Sequence, residues 1–173
     1  MPDPVVVVDP DPQWGEAFAS LRERLSPALA GLPARIEHVG STAVPNLAAK
    51  PIIDIDVVVP SAAEVPAAIA RLESIGYVHQ GDLGIPGREA FQSPPELPRH
   101  HLYLCAAASR EYERHVRFRD FLRRHPAAAQ AYSDLKREAA RRFRDDRQAY
   151  GDAKSAFIED VLARADREAE GAP

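Results

Sequence analysis

The sequence predicts an α+β protein whose strands precede its helices, and three observations carry that prediction. Short β-branched or apolar runs bounded by Gly and Pro recur as far as residue 106. One of them, PIIDIDVVV at residues 51–59, is nearly continuous and has the length of a strand buried on both faces. From Ser109 onward the apolar residues return at helical spacing. The division expected is an α/β core over residues 1–108 and a three-helix segment over 109–173, packed together as one unit. With 173 residues, 45% of them hydrophobic and 28% charged, the chain has ordinary soluble composition and enough length for a real core.

Val5-Val6-Val7-Val8 reads as an opening strand stopped by Asp9-Pro10. Asp11-Pro12 caps a helix with Phe18, Leu21 and Leu25 on one face, and Trp14 is its packing anchor. Residues 35–39 form a second strand that Gly40 ends, and residues 51–59 the central one. Ser61-Ala62-Ala63-Glu64 is a capping box, opening a helix with Val65, Ile69, Leu72 and Ile75 along one side and Gly76 at its end. Short strands follow at 77–80, 88–93 and 101–106. The helices after Ser109 break near His125-Pro126 and Asp145-Asp146, and residues 167–173 are expected to fray.

The net charge is −4. One cysteine, Cys105, excludes an internal disulfide framework and a Cys-based zinc site. No apolar run approaches a membrane span, and no basic stretch leads into an apolar one at the N-terminus, so a cytoplasmic protein is expected. The mild acidity argues against coating a nucleic acid. Oligomeric state is not legible.

Two segments carry chemistry. Asp54 and Asp56 are two apart on a strand, so they project from one face of an otherwise apolar element. A buried carboxylate pair is costly unless neutralised. Mg²⁺ removes that cost, while pairing of one aspartate with an arginine and exposure of the other is the alternative. Gly40-Ser41-Thr42 leaves the preceding strand in a turn whose N–H groups and hydroxyls suit a phosphate. Together they read as the triphosphate half of a metal-dependent site.

Gly40-Ser41, a spacer and Asp54-Ile55-Asp56 resemble the signature of the polymerase-β-type nucleotidyltransferases. More closely, IEHVGSTAVPNLAAKPIIDIDVVV resembles the GrpB family within that superfamily, and the likeness runs on through HHLYLCA, FRDFLRRHP, YSDLKREAA and YGDAKSAFIED. The resemblance implies a nucleotidyltransferase fold, a small mixed sheet with flanking helices and a helical C-terminal part. It implies that Gly40 and Ser41 hold a triphosphate and that Asp54 and Asp56 hold metal. It also implies a link to nucleotide or coenzyme metabolism, through relatives fused to dephospho-CoA kinase. The superfamily's third carboxylate is missing from the strand His100-His101-Leu102-Tyr103-Leu104-Cys105. His101 stands in its place, as base, metal ligand, phosphate donor or simply a polar residue on a half-exposed strand; Glu89 is a weaker substitute.

Residues 110–147 hold 12 Lys and Arg against 7 acids, leaving this stretch at +5 and the remainder at −9. Arg119, Lys136 and Lys154 fall on apolar stripes. Such cations either pair with Asp120, Asp134 or Asp152 nearby, or point into a cleft as phosphate ligands. Lys50 and Arg88 are further phosphate candidates, and His38 is a structural residue or a phosphate neighbour. The expected function is Mg²⁺-dependent transfer of a nucleotidyl group from an NTP to a small-molecule acceptor, releasing pyrophosphate. The rival is a non-catalytic nucleotide- or coenzyme-binding module.

Overall fold

In the computed structural model, which describes residues 4–171, the strands are β1 (Arg35–Val39), β2 (Ile53–Val59), β3 (Val78–His79), β4 (Arg88–Gln92) and β5 (His100–Ala106). They pair in the order β1-β2-β5-β4-β3, with β2 and β5 parallel and the other pairs antiparallel. The helices are α1 (Gln13–Ala28), α2 (Val65–Glu73), α3 (Arg110–Arg124), α4 (Pro126–Arg142) and α5 (Arg147–Glu170). This is the α+β class expected, with a small mixed sheet, flanking helices and three C-terminal helices. No helix among the described residues is long and apolar enough to cross a membrane.

The pleat of β2 sorts its residues onto two unlike faces. Ile53, Ile55, Val57 and Val59 join Leu102 and Leu104 of β5 in a core closed by Leu21 and Leu25 of α1 and Leu72 of α2. Each such side chain contributes about 1.5–3 kcal/mol on burial. The opposite face carries Asp54 and Asp56 beside His101 and Tyr103, and α3 lies against it through His115. α3, α4 and α5 share a second core around Phe121, Leu122, Tyr132 and Val161, which also takes in Val44 and Leu47 from the loop after β1. Ala48 N–H donates to Ser133 Oγ at 3.0 Å, and Arg123 donates through Nε and Nη2 to the Ala43 carbonyl at 2.9 and 2.7 Å. These bonds fix the helices over the turn that follows β1.

Two elements differ from the sequence expectation. Residues 5–8 do not join the sheet. Their main chain is satisfied elsewhere, Val5 N–H by the Arg144 carbonyl at 2.7 Å and Val8 by a lone bridge to Ala49. Val5 packs with Ala139, Ala140 and Tyr150, so the run straps the loop before β2 to the end of α4. At the other end α5 stays helical to Glu170, where fraying is expected from the sequence. Glu168 is held there by His125 at 2.8 Å and Arg124 at 3.5 Å. Residues 172 and 173 lie outside the described residues.

Candidate functional site

The site begins at the β1–β2 connection. β1 runs antiparallel to β2 with Val39 opposite Asp54, so the turn leaving β1 closes directly over that carboxylate. Gly40 sits at φ +71°, a left-handed conformation that favours glycine. A Cβ there would lie 2.3 Å from Asp54 Oδ2, which no side chain can satisfy. Ser41–Ala43 then forms one short 3₁₀ turn.

Asp54 and Asp56 share a face but not an environment. Asp54 accepts a hydrogen bond through Oδ1 from His101 Nδ1, its cross-strand neighbour on β5, at 2.8 Å. Its Oδ2 is left beside Gly40. Asp56 is fully buried, and its Oδ2 accepts from His115 Nδ1 at 2.7 Å. The other ring nitrogen of His115 faces Glu111 Oε1 at 3.3 Å, so both nitrogens meet carboxylates and the ring is an imidazolium. Burial works against that charge, but the bonds to Asp56 and Glu111 outweigh it and push the His115 pKa up to about 9. Burial also raises Asp56, and the shared proton rests on the histidine. Asp56 Oδ1 has no hydrogen-bond partner among the described residues.

Opposite Asp54, the helices deliver lysines. A cleft of about 230 Å³ is lined by Gly40, Ser41, Lys50, Ile52, Asp54, His101, Phe118, Tyr132, Lys136, Tyr150 and Lys154. Lys136 on α4 is 2% exposed, donates to Ser41 Oγ at 2.9 Å and lies 4.5 Å over the Tyr132 ring. Lys154 on α5 lies 4.2 Å over Tyr150, and Lys50 is 5.6 Å from the same ring. None of the three is in an ion pair with a carboxylate among the described residues. Burial, reinforced by Lys154 and Arg137, pulls Lys136 down to about 7, and burial with Lys50 beside it pulls Lys154 down to about 8. Lys50 is lowered too, by burial and then by Arg147 and Arg99, against Asp54. Three cations held at such cost around one cavity are poised for an anion.

Other residues singled out from the sequence lie elsewhere. Arg119 is turned away from the cleft because it is satisfied by Asp120 Oδ1 at 2.7 Å, Glu37 Oε2 at 3.0 Å and the His38 carbonyl at 3.0 Å. Thr42 Oγ1 is paired with His38 Nε2 at 2.9 Å, and His38 stacks on Phe18 and is pulled down to about 4 by burial. His38 is therefore a neutral structural residue. Arg88 lies opposite Cys105 in register and 4.3 Å over the Tyr103 ring, deeper along the sheet than the cleft. Glu89 cannot serve as third acid, because it pairs in register with Leu104 on the other face of the sheet and binds His79 at 2.6 Å. His115, Tyr132 and Tyr150 were not anticipated as site residues. The only signal for His115 was the need of a buried Asp56 for a cation, with Glu111 one helical turn earlier.

Among the described residues no group of three or more His, Cys, Asp or Glu is placed to hold a metal ion. The donor set is a pair. Asp54 Oδ2 and the orphaned Asp56 Oδ1 leave two carboxylate oxygens on one face of β2. That fits one Mg²⁺, a cation that takes one or two carboxylates and completes its shell with water and phosphate.

A GrpB protein family model matches residues 4–164. The chain belongs to the GrpB family. A crystal structure of conserved protein GrpB from Enterococcus faecalis superposes with a TM-score of 0.83 at 35% identity, covering 94% of this chain and 98% of that one. YqkA of Bacillus subtilis is 36% identical over 155 residues, 90% of this chain but 45% of YqkA. A dephospho-CoA kinase of Mycolicibacterium paratuberculosis is 30% identical over 94% of this chain and 46% of its own length. The chain thus spans less than half of these two longer relatives. The Cid1 poly(U) polymerase with MgATP aligns at a TM-score of 0.47 and 11% identity, too distant a likeness to carry an argument about chemistry.

Proposed function

We propose that this GrpB-family protein is a Mg²⁺-dependent nucleotidyltransferase that moves the nucleotidyl group of an NTP to a small-molecule acceptor. The observation that carries this reading is the convergence of Lys50, Lys136 and Lys154, without carboxylate partners among the described residues, on the Gly40-Ser41 turn and Asp54. A triphosphate supplies the negative charge that this cleft lacks. Lys136 holds Ser41 in place and, with Lys154 and Lys50, grips the phosphate chain. Gly40 lets backbone and phosphate approach closely.

Asp54 and Asp56 would hold the Mg²⁺, which when bound supplies charge neutralisation for the phosphates and leaving group. His115 keeps Asp56 fixed from behind. The acceptor hydroxyl attacks the α-phosphorus, the bond from Pα to the bridging oxygen breaks, and pyrophosphate departs. His101 takes the hydroxyl proton: with Nδ1–H donated to Asp54, its Nε2 carries the free lone pair.

Pyrophosphate release from each NTP across pools of hydroxyl acceptors tests the reading. The expected result is Mg²⁺-dependent release that Asp54→Asn and His101→Ala both suppress by at least 100-fold. Turnover by Asp54→Asn at the wild-type rate would sink it. A second reading, a nucleotide- or coenzyme-binding module without turnover, is favoured by His101 in place of a third carboxylate. The kinship with part of a dephospho-CoA kinase gives that module a coenzyme to bind. It predicts NTP or coenzyme binding that ignores Mg²⁺.

A further inference from the structure

The turn at the head of the cleft is too short to hold itself. Ser41–Ala43 closes on two 3₁₀ bonds, from Ala43 N–H to the Gly40 carbonyl and from Val44 N–H to the Ser41 carbonyl, each at 3.2 Å. A three-residue piece of this kind has little stability of its own. No further turn of helix follows to bond the Ala43 carbonyl. On the other side of Gly40 the chain belongs to β1, an edge strand with one row of carbonyls left without a neighbouring strand.

Both sides are held by α3. His115, Arg119 and Arg123 recur every four residues and so lie on one stripe of that helix. His115 holds Asp56, Arg119 Nη1 donates to the His38 carbonyl and to Glu37 Oε2 at 3.0 Å each, and Arg123 forks onto the Ala43 carbonyl at 2.9 and 2.7 Å. Asp120 Oδ1 ties the two arginines together, at 2.7 Å from Arg119 Nε and 3.7 Å from Arg123 Nη1. The carbonyls of His38 and Ala43 bracket Gly40, Ser41 and Thr42, and neither arginine lines the cleft. Eight residues of helix separate His115 from Arg123, about 12 Å of rigid rod, so α3 also sets the place of the turn relative to the carboxylate floor.

We propose that Arg119 and Arg123 are positioning residues for anion binding: they clamp the main chain on both sides of the Gly40-Ser41-Thr42 turn and so keep Ser41 and Lys136 in place for a phosphate chain. The proposal rests on the phosphate-binding half of the reading above and not on the transfer step. The arginines touch no phosphate. They act through the carbonyls they hold, and their donors are already engaged by those carbonyls, Glu37 and Asp120. A guanidinium presents two parallel N–H groups to one carbonyl, which an ammonium does not, so Arg123→Lys keeps the charge and loosens the grip. A binding constellation whose support is loose by about 1 Å loses its preorganisation and with it much of its affinity.

Calorimetric titration of inorganic tripolyphosphate with Mg²⁺ tests the clamp, since this probe carries the phosphate chain and no base. Arg123 is the residue to change, because its side chain is 40% exposed where that of Arg119 is 10% exposed. The expected result is saturable binding to the wild type, a loss of about tenfold or more in Arg123→Met and a smaller loss, at least threefold, in Arg123→Lys. Arg124→Met removes the same charge from a neighbour that pairs with Glu168 instead, and should change binding by no more than twofold. Amide hydrogen exchange at residues 42–44 should rise at least tenfold in Arg123→Met while β5 keeps its wild-type protection, a loosening that general destabilisation would not confine to the turn. If Arg123→Met does not fold, Arg123→Lys carries the test on the same two readouts. Wild-type affinity in Arg123→Lys, equal losses in Arg123→Met and Arg124→Met, or no tripolyphosphate binding to the wild type overturns the proposal. Pyrophosphate release reports on the transfer reading separately. Tripolyphosphate binding that follows the series with no NTP turned over ends that reading and leaves the clamp standing. Turnover of an NTP with wild-type binding in both Arg123 variants does the reverse.

Discussion

Asp54 and Asp56 stand two residues apart on one strand and one face, and their surroundings have opposite designs. Around Asp56 one oxygen is answered and one is not: His115 bridges Oδ2 to Glu111 beneath α3, and Oδ1 is left without a partner among the described residues. Around Asp54 the charges are left open, with its side chain 30% exposed and three lysines facing it across an aromatic-walled cleft. The floor is a paired support that keeps one oxygen for the proposed Mg²⁺, and the mouth is where the proposed triphosphate would bind. The difference comes from depth alone, since the same pleat delivers both carboxylates.

The largest effect expected is at the floor. Asp56→Ala strands the His115 imidazolium against Glu111, and breaking a buried pair costs about 3–5 kcal/mol, read as a lowered urea midpoint. A loss below about 1 kcal/mol would make the floor no different from a surface pair. At the mouth the sign reverses for stability. Lys136→Met removes a buried cation and is expected to stabilise the free protein by about 1–4 kcal/mol, while weakening NTP binding at least tenfold.

That gain has a defined pH dependence. Burial holds Lys136 to about 7 in the folded chain against 10.5 for an ordinary lysine, with Lys154, Arg137 and Lys50 repelling it and Asp54 attracting it. Below pH 7 the folded protein bears the whole cost of the buried charge. Between 7 and 10.5 the unfolded chain binds more protons than the folded one, so wild-type stability gains on the variant as pH rises. The advantage of Lys136→Met should be greatest at pH 7 and below and should fade towards pH 10, measured by urea unfolding of both proteins.

Gly40→Ala brings a methyl group against Asp54 Oδ2 at a positive φ. It should cost about 1–3 kcal/mol and abolish the Mg²⁺-dependent part of the NTP thermal shift. Asp54→Asn is milder still for the fold, within about 1 kcal/mol, but should remove the same Mg²⁺ dependence. This pair of variants sharpens the contrast, because the mouth fails in binding alone, whereas the floor fails in folding as well as in holding Mg²⁺. Arg117→Ala, which breaks an exposed pair with Asp166 far from both, should change stability by no more than about 0.5 kcal/mol and leave binding untouched.

Local rules made much of this legible in the sequence. The continuous run at residues 51–59 named the buried strand, the Ser61 to Glu64 capping box named a helix start, and the alternation of β2 put Asp54 and Asp56 on one face, because these signals act within a few residues. Cations on apolar stripes marked Lys136, Lys154 and Arg119 alike, and helical periodicity has no means of separating them. The fold did so by distance: Glu37 and Asp120 lie within reach of Arg119, and among the described residues nothing acidic pairs with the two lysines. Residues 5–8 had the composition of a strand, yet a strand needs a partner edge, and their hydrogen bonds went to Ala49 and Arg144 instead.

The sequence by itself determined which groups were available: a glycine turn, two carboxylates on one face, and a surplus of cations in the helical half. Only the tertiary structure decided which of them meet, which pair off and which remain open. Charge compensation depends on contacts across 47 to 95 residues of chain, His101 with Asp54 and Lys136 with Ser41 among them, and no local pattern records a distance of that kind.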